Sequence, residues 1–223
     1  MSTDPVAAGP RPIRVAVLDD QEFILRALQG VSERSGGHLV MGHATSSRQD
    51  FIDRARSDRP DVCVVDLMMD GRICGHEDIS TLTGMSLRCV AFTADQRRVP
   101  IRLAMQAGAR GLILKSDPVS TLVAAIVAVH DDGWSNSSAS AAVLLDDSAN
   151  LPTLSPHELE CLRLAAEGVP IKAIGRQFDP PISLSSVKTY LARAYEKYAL
   201  VGRPVNNTTE AVVHTMHDGW FDL

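Results

Sequence analysis

VVDLMMDG, residues 64–71, rises through an apolar run to a carboxylate at Asp66 and meets a second carboxylate at Asp70. Preceded by Asp61-Val62-Cys63, the run is β-branched and too short for a helix, as expected of a strand buried on both faces. A charge at the end of such a strand marks the place where the chain surfaces or the reason the strand exists. The flanking sequence separates the two. From Ile13 to about His130, β-rich runs (IRVAVLD, HLVMGHA, DVCVVD, RCVAFT, GLILK) alternate with amphipathic stretches (EFILRALQGV, DFIDRARS, VPIRLAMQAGA, STLVAAIVAV). Five strands alternating with helices predict a parallel sheet covered on both faces. Phe23, Ala27 and Val31 recur at four-residue spacing, as do Phe51 and Ala55, and Ser47 with Asp50 reads as an N-cap arrangement. The Gly-bearing stretch Arg72 to Ser86 reads as irregular, with little periodicity.

In an open parallel sheet, function gathers beyond the carboxyl ends of the strands. The first strand ends at Asp19-Asp20, the third at Asp66, the fourth at Thr93 and the fifth at Lys115. Three carboxylates on one edge repel one another unless a cation sits among them, and an all-oxygen set suits a hard divalent ion such as Mg²⁺. A hydroxyl and a lysine beside them would complement a phosphoryl group.

Composition agrees with a folded chain. At 223 residues, with 22% charged and 45% apolar side chains and a net charge of -5, it reads as globular rather than disordered. The longest apolar run, Leu122 to Val129, is too short to cross a bilayer, and the N-terminus lacks the pattern of a signal peptide. The expectation is a cytoplasmic protein with no membrane partner. Cys63, Cys74, Cys89 and Cys161 occur singly, which suggests reduced thiols rather than a disulfide framework or a zinc site.

The segment from Asp131 to Thr153 is rich in Ser, Asn, Asp and Gly and suits a linker, with a short helical turn at Ala139 to Leu145. Beyond it, Ser155-Pro156-His157-Glu158 offers an N-cap, a first-turn proline and a capping-box glutamate, and Gly168 offers a stop. Helical patterns follow at Ile171 to Phe178, Leu184 to Leu200 and Thr208 to about His217, without a strand signal. The expected division is a flexible tail at 1–12, an α/β domain at 13–131, a linker at 132–153 and an all-α domain at 154–223. A short helix, a turn and a longer helix form helix-turn-helix order, although an ordinary bundle has the same pattern.

The residues of the first domain resemble the receiver domain of two-component response regulators. The resemblance is carried by Asp19-Asp20, the D-L-x-M segment at 66–69, Thr93-Ala94, and Gly108-Ala109 leading through Gly111 to Lys115. It implies a flavodoxin-like (βα)5 fold and a phosphorylation switch. Asp66 would accept a phosphoryl group from a sensor histidine kinase. Asp20 would bind Mg²⁺ directly and Asp19 partly through water, with Asp66 and the Met68 carbonyl completing the protein ligands. Thr93 and Lys115 would hold the phosphoryl oxygens. The helical half resembles the four-helix LuxR-type DNA-binding domain of the NarL/FixJ class, through E-x-x-C-L-R-L-A-A-E-G, I-K-A-I-G-R-Q-F and I-S-L-S-S-V-K-T-Y-L. On matching positions Lys188 and Thr189 would face base edges or phosphates, Ser185 and Ser186 would bind phosphate at the helix start, and Arg193 and Lys197 would extend contact along the backbone.

Together the two halves imply a DNA-binding transcription regulator controlled by phosphorylation of Asp66, acting on double-stranded promoter DNA as a homodimer. Several positions depart from these families. Asp70 stands where proline is usual, Leu112 stands where an aromatic commonly swings inward, and Asp179-Pro180-Pro181 lengthens the turn before the recognition helix. Ala192 replaces a residue that is basic in some relatives. The second reading is therefore a phosphorylation-independent DNA-binding regulator. A third is a metal-dependent phosphatase working through an aspartyl phosphate; phosphatases that resemble the haloacid dehalogenase class want D-x-D, whereas Asp66 precedes Leu67-Met68.

Overall fold

The computed structural model describes residues 11–34, 37–136 and 151–222; the side chains of residues 32–34 are not described. The tail residues 1–10 and the helical turn expected at Ala139 to Leu145 lie outside the described residues. The described residues form two compact units, the first built mainly from residues up to 136 and the second mainly from residues 151 onward.

The first unit is a parallel sheet with strands β1 (Ile13–Leu18), β2 (Leu39–Thr45), β3 (Val62–Val65), β6 (Arg88–Thr93), β7 (Gly111–Leu114) and β8 (Ser135–Asn136), in the order β2-β1-β3-β6-β7-β8. The five expected strands thus take the flavodoxin-like order. The sixth, β8, pairs with β7 inside the segment read as linker, through Gly111↔Ser135 and Leu112↔Asn136. Alternation along the strands sorts the core. Val15, Val17, Val62, Val64, Val90, Phe92 and Ile113 join Leu28 of α1 (Glu22–Arg34) and Leu122, Ile126 and Val129 of α5 (Val119–His130) in one cluster. On the opposite face the sheet meets α2 (Arg48–Asp58), which buries Phe51 and Ala55.

Helix α2 is capped by Ser47, whose Oγ accepts from Asp50 N. Helix α1 forms as expected but in another rotation. Ile24, Leu25 and Leu28 pack inward, whereas Phe23 is 67% exposed and Ala27 is exposed. The denser apolar stripe decides which face is buried.

The stretch read as irregular is ordered. Strands β4 (Met68–Met69) and β5 (Arg72–Ile73) make a two-stranded hairpin, followed by helix α3 (Gly75–Gly84). Helix α3 buries Gly75, Asp78, Ile79 and Leu82, a helical period carried partly by a glycine and a carboxylate. Arg48 satisfies Asp78 at 2.8 Å and Glu77 at 2.9 Å. Helix α4 spans Arg98–Gln106.

The second unit contains α6 (Pro156–Ala166), α7 (Ile171–Ile174) continuing as a 3-10 turn at Gly175–Gln177, α8 (Leu184–Leu200) and α9 (Thr208–Asp218). The capping box at Ser155 and Glu158 forms in both directions. The core gathers Cys161, Leu162, Ile174, Val187, Leu191, Ala194, Tyr198 and Ala211. The long turn closes where Ile182 N donates to Gly175 O. A Cβ on Gly175 would stand 2.3 Å from the Ile182 carbonyl oxygen, so only glycine admits this approach. All four cysteines are buried free thiols.

Candidate functional site

Four buried strands deliver their first polar residues to one edge. Asp66 follows β3 and is 2% exposed, Asp19 follows β1 and is fully buried, Thr93 ends β6 fully buried, and Lys115 follows β7. Main-chain bonds continue the sheet through these positions: Asp66 N donates to Leu18 O, Asp19 N to Thr45 O and Lys115 N to Thr93 O. The side chains are therefore set by strand pairing rather than by loop conformation.

Lys115 Nζ lies 2.7 Å from Asp66 Oδ2 and 2.8 Å from Asp19 Oδ2. Asp66 Oδ1 accepts from Met68 N at 3.1 Å, and Asp19 Oδ1 from Gln21 N at 2.9 Å. Thr93 Oγ1 accepts from Asp95 N at 3.0 Å, which leaves the hydroxyl hydrogen free to donate elsewhere. Burial pushes the Asp66 carboxyl up to about 6, against the opposing pull of Lys115 and the Met68 amide. Burial alone would lower the Lys115 pKa, but its close contacts with the Asp19 and Asp66 carboxylates outweigh that and hold it above the ordinary value.

Asp19, Asp20 and Asp66 each offer an oxygen, and these oxygens lie within 4.8 Å of one another. Asp19 Oδ2 is buried and receives no hydrogen bond, meeting Lys115 only as an ion pair. An under-satisfied buried carboxylate oxygen among all-oxygen donors fits a hard divalent cation. Asp20 is half-buried, and its Oδ2 accepts from Asp70 N at 2.8 Å. Asp70 does not carry its carboxylate into the cluster as a buried group: the residue is exposed, and its amide makes the contact. Its φ of +51°, with +72° at Gly71, is the pair of positive angles that a two-residue type I′ hairpin turn requires. In the sequence Gly75 signals only a weak helix, not a role at the strand end. A Cβ there would fall 2.1 Å from the Asp66 carbonyl oxygen and 2.7 Å from Leu67 Cα. Helix α3 therefore lies directly against the backbone of the acidic strand end.

In the helical unit, Ser185, Lys188, Thr189, Ala192, Arg193 and Glu196 form one exposed face of α8. The cap of this helix is Ser183, whose Oγ accepts from Ser186 N and lies 2.9 Å from Ser186 Oγ. Ser185 is thus the freer of the two serines expected at the helix start. Lys197 has an intramolecular partner: its Nζ sits 2.6 Å from Oε2 of the buried Glu158. Lys188 and Arg193 remain as the exposed cations of the face, against Glu196.

A parallel sheet that brings three carboxylates, a threonine and a lysine to its carboxyl edge defines a receiver. Residues 15–127 match the family model described as the response regulator receiver domain, and the chain belongs to this family. It is 28% identical over 210 residues to the transcriptional regulatory protein DesR of Bacillus subtilis, covering 94% of this chain and 99% of that protein. It is also 28% identical over 206 residues to the nitrate/nitrite response regulator NarL of Escherichia coli K12, covering 88% and 94%. Among solved structures, RcsB of Salmonella enterica serovar Typhimurium, bound to a promoter with the phosphomimetic BeF3-, superimposes with a TM-score of 0.60 at 21% identity. That match covers 92% of this chain and 98% of RcsB. No helix among the described residues is long and apolar enough to cross a membrane.

Proposed function

We propose that this transcription-regulating response regulator is controlled by phosphorylation of Asp66 and binds promoter DNA as a homodimer through the exposed face of α8. The observation that carries the reading is the buried Asp66 carboxylate, bonded to Lys115 and gathered with Asp19 and Asp20 at the sheet edge.

Phosphotransfer from a histidine kinase requires positioning and charge neutralisation more than covalent machinery. An Asp66 carboxylate oxygen attacks the phosphorus of the donor phosphohistidine. An O–P bond forms as the N–P bond breaks, and the imidazole nitrogen keeps the electron pair. Lys115 stands 2.7 Å from Asp66 Oδ2 and neutralises the added charge, while Thr93 donates its hydroxyl to a phosphoryl oxygen. Asp19, Asp20, Asp66 and the Met68 carbonyl would hold Mg²⁺, which supplies charge neutralisation at the phosphoryl oxygens when bound.

On DNA, Lys188 and Thr189 would face base edges or phosphates, with Ser185 and Ser186 near the helix start and Arg193 along the backbone. Lys197 would reach phosphate only by giving up Glu158. So modest a cationic face supports pairing of two copies on adjacent half-sites, since each neutralised phosphate adds only one increment of affinity. RcsB has been solved as two dimers bound to two parallel DNAs.

The test is incubation of the chain with a small phosphodonor and Mg²⁺, followed by intact-mass measurement and DNA titration. One phosphoryl group on the wild type, none on Asp66→Ala, and tighter DNA binding of the phosphorylated form are expected. Unchanged DNA affinity and oligomeric state after phosphorylation would favour a phosphorylation-independent regulator instead.

A further inference from the structure

The exposed turn that departs from the family at Asp70 meets the acidic cluster through its backbone. Asp70 N donates to Asp20 Oδ2 at 2.8 Å across 50 residues of sequence. This contact needs a residue that carries an amide hydrogen and tolerates φ of +51°. Proline offers neither, because its ring fixes φ near about −65° and removes the donor. Aspartate is among the few L-residues that enter the left-handed region readily, and Asp-Gly is a preferred pair for a two-residue hairpin turn. The replacement at position 70 thus changes the geometry of the loop instead of adding a charge to the site.

The other acidic residues are fixed without this turn. Asp19 and Asp66 are buried, bonded to neighbouring amides and paired with Lys115. Asp20 is half-buried, one residue further from the strand, and its side chain accepts from the Asp70 amide. One oxygen is held by the amide, and the other stays available to a ligand.

We infer that the Asp70 main-chain N–H is a positioning group that pre-orients Asp20 for a divalent cation, and that the Asp70-Gly71 turn exists in this chain to present it. This rests on the reading of the acidic cluster as a divalent-cation site. Groups that hold a metal ligand from behind commonly change affinity by about 10- to 100-fold when removed. The carboxylate of Asp70, exposed to solvent, is screened and contributes little.

The experiment is calorimetric titration of the full-length, unphosphorylated chain with MgCl2, for wild type, Asp70→Pro and Asp70→Asn. Wild type binds one equivalent, Asp70→Pro weakens binding about tenfold or more, and Asp70→Asn, which keeps the amide and the turn, restores it. Absence of binding by wild type overturns both the cation-site reading and this inference. Binding by wild type with equal affinity in Asp70→Pro overturns the clamp alone. Because the proline variant can disturb the hairpin itself, the amide resonance of Asp70 is followed in wild type by ¹H–¹⁵N NMR. It is expected to shift when Mg²⁺ is added and to move upfield in Asp20→Asn as the charged acceptor is lost. An Asp70 amide indifferent to both changes refutes the inference whatever the variant does.

Discussion

Gly75→Ala adds one methyl group to the first residue of α3, and the structure places that carbon 2.1 Å from the carbonyl oxygen of Asp66 and 2.9 Å from its carbonyl carbon. Ordinary carbon–oxygen contacts are about 3.3 Å, so α3 or the end of the acidic strand must move by about 1 Å. Both partners are backbone, and no flexible side chain can yield. Overpacking of this kind destabilises by about 1–3 kcal/mol, only partly offset by the helix preference of alanine over glycine. The larger effect falls on chemistry, because a 1 Å misplacement of a reacting group slows a positioned reaction by about 10²-fold. The assay is the rate of phosphoryl incorporation from a small phosphodonor, with urea unfolding on the same samples. Gly84→Ala is the control: it lies in the same helix, is exposed, and has nothing within 4 Å of the added carbon. Gly84→Ala is expected to phosphorylate normally and to hold or gain a few tenths of a kcal/mol. Normal rate and unchanged unfolding in Gly75→Ala, or equal losses in the two variants, would refute the argument that α3 seats Asp66.

Three further outcomes follow from the same geometry. Lys115→Met removes the cation between Asp19 and Asp66, so the Asp66 carboxyl should titrate above about 6 by ¹³C NMR in metal-free buffer, and the protein should lose about 3 kcal/mol at neutral pH. Burial raises the Glu158 pKa, but Lys197 and the Ser155 amide outweigh it and hold the carboxyl below its ordinary 4.5. The sign for a depressed carboxylate places its stabilisation above pH 4.5 and removes it as pH falls through the lower folded value. Glu158→Gln should therefore unfold more easily than wild type at pH 7 and converge with it in strong acid, as urea midpoints across pH will show. On DNA, Lys188→Ala and Arg193→Ala should each lower the slope of log affinity against log salt by about 1, whereas Lys197→Met should leave it unchanged, measured by fluorescence anisotropy. An equal slope change for Lys197→Met would place that ammonium on phosphate rather than on Glu158.

The parallel sheet was legible because its strands are nearly continuous apolar runs, each ending in a polar residue whose identity stands out from the run before it. The candidate site was legible for the same reason: Asp19 follows β1, Asp66 follows β3, Thr93 closes β6 and Lys115 follows β7. What escaped the sequence are features that strand or helix periodicity does not encode. Helix α3 repeats its buried face through Gly75 and Asp78, the first there to let backbones meet and the second neutralised by Arg48, so an apolar count passes over it. The inward face of α1 was masked by a second four-residue spacing at Phe23 and Ala27, and only the density of Ile24, Leu25 and Leu28 against the sheet distinguishes the two. Lys197 has the composition of a phosphate ligand, and its engagement by Glu158 depends on the packing of α6 against α8 across 39 residues.

At Asp70 the sequence carries a local signal whose chemistry lies in the main chain. Asp-Gly between two short β-prone pairs is a hairpin signature in any sequence. Beside an acidic cluster, a carboxylate turned inward would add one more charge. Positive φ at both turn residues instead directs the amide of Asp70 to Asp20 and leaves its side chain to solvent. The departure from proline is therefore compatible, on electrostatic grounds, with a divalent cation at the acidic cluster. Asp66, Asp19 and Lys115 keep their mutual distances through main-chain bonds at the strand ends, and the turn acts on Asp20 alone. A change confined to one ligand of the proposed multi-ligand site would tune affinity and leave the proposed phosphoacceptor in place, which is why a substitution at position 70 is expected to shift cation dependence before it touches the competence of Asp66.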